Sequence, residues 1–290
     1  MSLSLPVLSH QLSAGLSVGL SGRASGLVLG SESSSSIGWY GLAASLVLVV
    51  VALAVSWRLQ LGLERSMLWS CARAGVQLLV TGWALTLVLH PDASIVWSWL
   101  WVIAMVFVAG LTVRNRAPEV PGIFPLALAA TAVVGAISLG VIFGFHIFPV
   151  EARTVIPLAG MMIGNSMTSV VVAARRVTGE LRDKRLEVEA RLALGLSWQE
   201  ASRPYLREAM RTAMIPQIES TKAVGLVFLP GAMTGLILAG VSPVDAVQVQ
   251  LAIMYLILGS VACSVTVVGV GLTRRLFTPD SRLVRLTRPA

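Results

Sequence analysis

Asn165, Ser166 and Thr168 are polar residues in an otherwise apolar run that begins at Thr154, and Gln77 is another, a turn into an earlier run. Polar side chains are costly inside a bilayer and therefore mark a candidate solute pathway. Met161 and Met162, just upstream, could add soft thioether sulfur, although packing is the plainer role of a buried methionine. Ferric or ferrous iron would sooner meet carboxylate or imidazole. No Asp, Glu or His falls inside an apolar run on this reading. His90, Asp92, His146, Glu151 and Asp245 sit in the connecting loops, so no metal ligand is assigned.

Those residues need a membrane to act in, and the composition supplies it. The 290 residues are 56% hydrophobic and only 12% charged, with a mean hydropathy of +0.82. Soluble domains carry roughly 25% charged residues. The predicted fold class is all-α and polytopic, with about seven spans: Ile37 to Trp57, Ala72 to Leu89, Ile95 to Val113, Ile123 to Phe143, Thr154 to Ala174, Ala223 to Ala239 and Val247 to Thr273. Each offers close to the ~20 apolar residues a crossing needs. Period-two alternation is lacking, which excludes a transmembrane barrel. The +8 net charge flanks the spans and aromatics are sparse, so a nucleic-acid surface is not expected.

Arginine placement orients the spans by the positive-inside bias. Arg58, Arg65, Arg114, Arg116, Arg274, Arg275, Arg282, Arg285 and Arg288 follow odd-numbered spans, whereas the opposite side holds only Arg23 and Arg153. The N-terminus is thus expected outside and the C-terminus in the cytoplasm. Residues 1–36, rich in Ser and Gly, are expected to form a loose or interfacial tail rather than a signal peptide, and 279–290 a cytoplasmic tail. Cys71 and Cys263 have neither disulfide-framework nor zinc spacing.

The segment from Arg175 to Lys222 holds ten of the 22 Lys/Arg and seven of the 14 Asp/Glu. A helix is predicted from Leu181 to Leu194, with an apolar stripe at Leu186, Ala190, Ala193 and Leu194. Gly195 ends it, and Ser197 to Glu200 is an S-x-x-E capping box for the next. Pro204 is expected to cut that helix short or kink it. A third helix then runs to Met214, with Leu206, Met210 and Met214 on one face and Arg207 and Arg211 on the other, and Pro216 breaks it. A short two-signed protrusion suits a protein partner better than anionic lipid, which favours a purely basic run. No G-x-x-x-x-G-K-[ST] motif is present, and Lys184 and Lys222, the only lysines, follow no Gly-rich loop. Small-residue pairs at Gly160/Gly164 and Gly231/Gly235 allow close helix packing, and Pro230 offers a bend for gating.

Glu189-Ala190-Arg191-Leu192-Ala193-Leu194-Gly195 resembles the E-A-A-x-x-x-G loop of ABC transporter permeases, with Arg191 at the second Ala position. The proline that closes the usual loop comes later here, at Pro216, a departure from ordinary importer permeases. Ile156 to Asn165, Val224 to Gly235, Ala239 to Pro243 and Arg73 to Leu78 extend the likeness to the FetB-type iron-export ABC permease family, related to plant aluminium-tolerance permeases. The resemblance covers roughly 40–278. It implies a multi-pass cell-membrane permease (37–278) that is a transporter subunit and not itself an enzyme. It also implies a homodimer working with a separate cytoplasmic ATPase that holds ATP and Mg. Glu189, Ala190, Gly195, Ser197, Glu200 and Pro204, within a cytoplasmic coupling segment 175–222, would meet that ATPase. A permease for a small polar metabolite such as a nucleotide sugar, or a seven-helix receptor or scaffold, are the alternatives. A retinal pigment is excluded by the lack of a lysine in the last span.

Overall fold

A computed structural model describes residues 39–90, 93–278, 280 and 282–284. The expected N-terminal tail, Asp92, Arg285 and Arg288 lie outside the described residues. Among the described residues the chain is all-helical, and extended pairing is limited to the isolated bridges Val224–Phe228 and Phe277–Leu283. It divides into two units, Met1–Thr81 and Gly82–Ala290.

In the first unit α1 (Trp39–Arg58) turns into α2 (Glu64–Val88), whose last turns belong to the second unit. Ser56 Oγ donates to Glu64 Oε1 at 2.7 Å across that turn. The second unit continues with α3 (Ile95–Arg116), α4 (Ile123–Gly144), α5 (Ala152–Asp183), α6 (Arg185–Ala193), α7 (Trp198–Ala223), α8 (Gly231–Leu238) and α9 (Pro243–Leu276). The long α5 packs against α3, α4, α7 and α9, and α9 also takes α4, α7 and α8.

Helices α2, α3, α4, α5 and α9 are long and apolar enough to cross a membrane, and α1 has a shorter apolar stretch from Ala43. Several hydroxyls inside them are satisfied locally. Thr131 donates to the Ala127 carbonyl at 2.9 Å, Ser264 to Val261 at 2.8 Å and Thr273 to Gly269 at 2.7 Å. Such back-bonding hides a donor where no water is available.

The packed interior has two parts. One joins Val113, Ala127, Val177, Leu181 and Leu272 and reaches Val188 of α6 and Ala201 and Ala209 of α7. The other joins Ile142, Val155, Met162, Ala213 and Val261 nearer the opposite end.

Several sequence expectations change. Ala223 to Ala239 is not one helix: α7 ends at Ala223, α8 covers only eight residues, and Gly225 between them has φ +86°. Eight residues rise about 12 Å, less than half of a bilayer core of about 30 Å. The fifth apolar helix does not stop at Ala174, because Ala174, Val177 and Leu181 continue its fully buried face to Asp183. Nor do Pro204 and Pro216 end a helix; both lie inside α7. Each removes one backbone hydrogen bond. Both rings sit on the exposed side, while Ala201, Ala209 and Ala213 hold the other side against the core. The division of α7 into Leu206, Met210 and Met214 facing inward and Arg207 and Arg211 outward is as the pattern indicated.

Candidate functional site

The corner between α6 and α7 is built by local chemistry. Gly195 takes φ +86°, a conformation that favours glycine, and its N–H donates to Leu192 O at 3.0 Å while Leu196 N donates to Arg191 O. The capping box at Ser197 forms as the sequence indicates. Glu200 N donates to Ser197 Oγ at 3.3 Å, and Ser197 N and Oγ donate to Glu200 Oε2 at 3.1 and 2.7 Å. Those bonds hold the Glu200 carboxyl below the usual carboxylate range.

Side chains then lock the two helices together. Tyr205 Oη donates to Glu187 Oε2 at 2.9 Å, Lys184 Nζ meets Glu187 Oε1 at 2.9 Å, and Arg185 Nε meets Glu189 Oε1 at 2.6 Å. The Arg191 guanidinium lies 5.7 Å from the Tyr205 ring centre, over its face. Glu187 is pulled down by hydrogen bonds from Lys184 and Tyr205, Lys184 is raised by Glu187, and Tyr205 is raised by desolvation and then by its bond to Glu187. Val188 is buried beneath, and the Trp198 and Phe277 rings lie 5.7 Å apart.

The apolar stripe Leu186, Ala190, Ala193 and Leu194 points away from the core. Leu186 is 81% and Leu194 82% exposed, and Ala190 and Ala193 are exposed with them. The face that meets the core is the one carrying Val188, with Leu192 packed partly against it. Pro204, expected to close the short helix, stands exposed inside α7.

Arginines mark the bundle end from which this corner projects. Arg175 of α5 pairs with Glu119 at 2.7 Å and donates to the Arg116 carbonyl. Arg275 of α9 donates to Gly122 O at 2.9 Å. The α3–α4 link is thereby tied to the C-terminal parts of α5 and α9.

The polar residues of α5 fall on two faces. Met162 and Ser166 are fully buried; Met162 Sδ accepts from Ser260 Oγ at 3.4 Å, and Ser260 Oγ lies 2.6 Å from Ser138 Oγ. Ser166 Oγ has no hydrogen-bond partner. Asn165, Thr168 and Gly164 are exposed on the other face, with Met161 half-buried. Asn165 Nδ2 donates to Met161 O at 2.8 Å. Gln77 belongs to the first unit, exposed on α2.

Of the paired glycines only Gly160 meets a neighbour, with the Met105 methyl 3.5 Å from where a Cβ would stand; Gly164, Gly231 and Gly235 meet none within 4 Å. Pro230 is the N-cap of α8. The glycines that permit close packing are others. A Cβ on Gly271 would stand 2.5 Å from Leu126 Cδ1, and one on Gly269 3.1 Å from Met210. Their signal, G-x-G in the last span, is too common to be read from sequence.

Sequence reading also missed a carboxylate. Leu206 and Ala209 belong to the same core cluster as Val268 and Leu272, whereas Ala213 and Met214 belong with Val261 and Val265, and α7 contacts α9, so α7 runs antiparallel to α9. Met210 lies against Gly269. The nine residues to Glu219 rise about 13.5 Å, the same as nine residues back along α9 to Ser260. Glu219 therefore sits near the level of Met162, Ser138 and Ser260, inside the length of the apolar helices. It pairs with Lys222 Nζ at 2.9 Å. Among the described residues no three His, Cys, Asp or Glu side chains gather to hold a metal.

Residues 39–277, spanning every helix just described, match the Uncharacterised protein family (UPF0014). The chain belongs to that family. It is 36% identical over 245 residues to the UPF0014 membrane protein YjkA of Bacillus subtilis, covering 84% of this chain and 98% of that one. It is 34% identical over 237 residues to the "Probable iron export permease protein FetB" of Escherichia coli, covering 81% and 90%. With Protein ALUMINUM SENSITIVE 3 of Arabidopsis thaliana it shares 35% identity over 223 residues, 77% and 81% of the two chains. No solved structure matches. The UPF0014 relatives and the five long apolar helices make this a multi-pass membrane protein.

Proposed function

We propose that this UPF0014 chain is the membrane subunit of an ABC transporter that exports metal, iron first, and that a separate P-loop ATPase drives it by docking on the α6–Gly195–α7 corner. The observation that carries the reading is the outward apolar edge of that corner, Leu186, Ala190, Ala193 and Leu194, on helices stapled by Glu187–Tyr205 and capped by Ser197 and Glu200. An exposed apolar edge rimmed by charges of both signs fits a protein groove better than water. Support for the cargo comes from the name of the FetB relative. The arginine-rich end faces the cytoplasm by the positive-inside bias, and two copies of the chain face two ATPases. ATP and Mg belong to the ATPase, which this chain engages through Glu189, Ala190, Gly195 and the Ser197–Pro204 cap.

The docking part ends where α7 turns inward with Leu206 and Ala209, short of the full 175–222 segment. A rigid corner transmits force because α5, continuous for 32 residues, is clamped to it through the packing of Leu181, Val188 and Ala201. The test is metal retention in cells carrying this chain with and without its ATPase, together with co-purification of the two. Leu186→Asp with Leu194→Asp should abolish co-purification while membrane insertion persists. Undiminished co-purification would overturn the docking surface, and unchanged cellular metal would overturn the cargo.

A further inference from the structure

The exposed face of α7 carries Ile215, Glu219, Ser220 and Lys222, and Glu219 and Lys222 pair at 2.9 Å with both side chains more than half exposed. Their level is that of Ser260, about the midpoint of the 34-residue α9, which is a candidate membrane span. Charged side chains at this depth are costly against hydrocarbon and are found facing protein or a water-filled cavity. One turn further on, the helix stops. Residues 224–230 form an irregular loop around Gly225 before α8 resumes the course. Helix α8 packs on α9, and Ala232 in its first turn joins the core cluster that holds Ile253, so the break lies within the span of α9. Irregular backbone at membrane depth persists where protein buries it or water lines it, and Leu226 of this loop is 93% exposed. On α5, which meets this level at Met162, Asn165 is exposed within a turn and Thr168 within two.

We infer that the Glu219–Ser220–Lys222 face of α7 lines an aqueous pathway through the membrane, and that the Glu219–Lys222 ion pair is its gate. This rests on the transport reading above and deepens it by naming the wall and the class of solute. With the pair closed, each charge satisfies the other and the passage presents no net field. The two groups stand one turn apart on the same helix, so movement of α7 carries both; the gate opens when an entering small hydrated cation takes the Glu219 carboxylate and the Lys222 ammonium swings off it. Asn165 Oδ1 provides a neutral acceptor nearby in depth, since its amide N–H is committed to Met161. The break at 224–230 gives α7 a joint, so that displacement begun at the α6–α7 corner turns its last turns without dragging α8.

The test uses the full chain in native membranes with its ATPase, after Cys71→Ser and Cys263→Ser. Ser220→Cys and, as a control at an exposed apolar position of α3, Val108→Cys are treated with a charged, membrane-impermeant methanethiosulfonate. A wetted thiol ionises and reacts while one in hydrocarbon does not, so Ser220→Cys should react about ten-fold faster or more. Equal, slow reaction at both positions would overturn the pathway whatever the cargo. In the otherwise wild-type chain, Lys222→Met should alter cation export, and the exchange Glu219→Lys with Lys222→Glu should restore it. If Lys222→Met leaves export unchanged while Ser220→Cys reacts fast, the gate is overturned and the pathway stands. Fast reaction of Ser220→Cys in a chain that moves no metal keeps the pathway and removes only the metal cargo.

Discussion

Tyr205 of α7 donates a hydrogen bond to Glu187 of α6 at 2.9 Å, and this bond spans the turn that joins the two helices. The same carboxylate takes Lys184 through its other oxygen, so Glu187 joins the end of α5, the start of α6 and the second turn of α7. Tyr205→Phe is expected to raise amide exchange across Arg185–Ala193 several-fold while exchange in α9 stays unchanged. Hydrogen-exchange mass spectrometry reads both. Equal protection of α6 in the two proteins would show that Val188 packing alone holds the corner.

The cap at Ser197 makes the corner acid-sensitive. Glu200 is held below its ordinary value by Ser197. A lowered folded value means the carboxylate contributes stability that is fully present above the unfolded value and is lost as pH falls through the folded one. Protection of the first turn of α7 should therefore be constant from neutral pH down to the usual carboxylate range and decline below it. Glu200→Gln should remove that pH dependence. Ser197→Ala, which takes away the cap acceptor, should cost about 1 kcal/mol of local stability at neutral pH.

Gly195 has no neighbour within 4 Å of where a Cβ would stand, so a substitution there meets only its own backbone at φ +86°. Gly195→Val should cost about 1–2 kcal/mol from the left-handed conformation and re-aim α6. Insertion into the membrane should be unaffected, because the long apolar helices do not depend on this turn. ATPase co-purification should fall by about ten-fold for the same 1–2 kcal/mol. Retained binding would mean that the partner does not read the corner's shape.

Much of this was legible in sequence wherever the signal is local. The Gly195 turn and the Ser197–Glu200 box depend on neighbours in the chain, and both stand where their residue types put them. The long apolar helices follow from length and hydropathy alone. What escaped depends on tertiary packing. Pro204 and Pro216 signalled helix ends, yet the alanine face of α7 against α5 and α9 outweighs two lost hydrogen bonds. Because α7 does not break, it enters the bundle early, and Glu219 lies within the apolar helices instead of in a loop. The stripe at Leu186 and Leu194 had the right period but the wrong neighbour: amphipathicity marks an apolar face without saying whether the chain's own core or another protein covers it.

Two glycines separate packing inside this chain from contact beyond it. Gly271→Ala would place a methyl 2.5 Å from Leu126 Cδ1. Overpacking of this kind costs about 1–3 kcal/mol, partly relieved by the flexible end of the leucine. Thermal unfolding in detergent should show a lower midpoint for Gly271→Ala. Leu126→Val should destabilise it less in that background than in the wild type, because the two sites share one volume. Gly164→Ala is the opposite case. No atom lies within 4 Å of its added methyl, and replacing a helical glycine by alanine gains up to about 1 kcal/mol. Its unfolding midpoint should hold or rise. A fall in dimer content by Gly164→Ala, with that midpoint intact, would place a second copy of the chain against the Asn165 face of α5; unchanged dimer content would leave that face clear of any close contact with a second copy at Gly164.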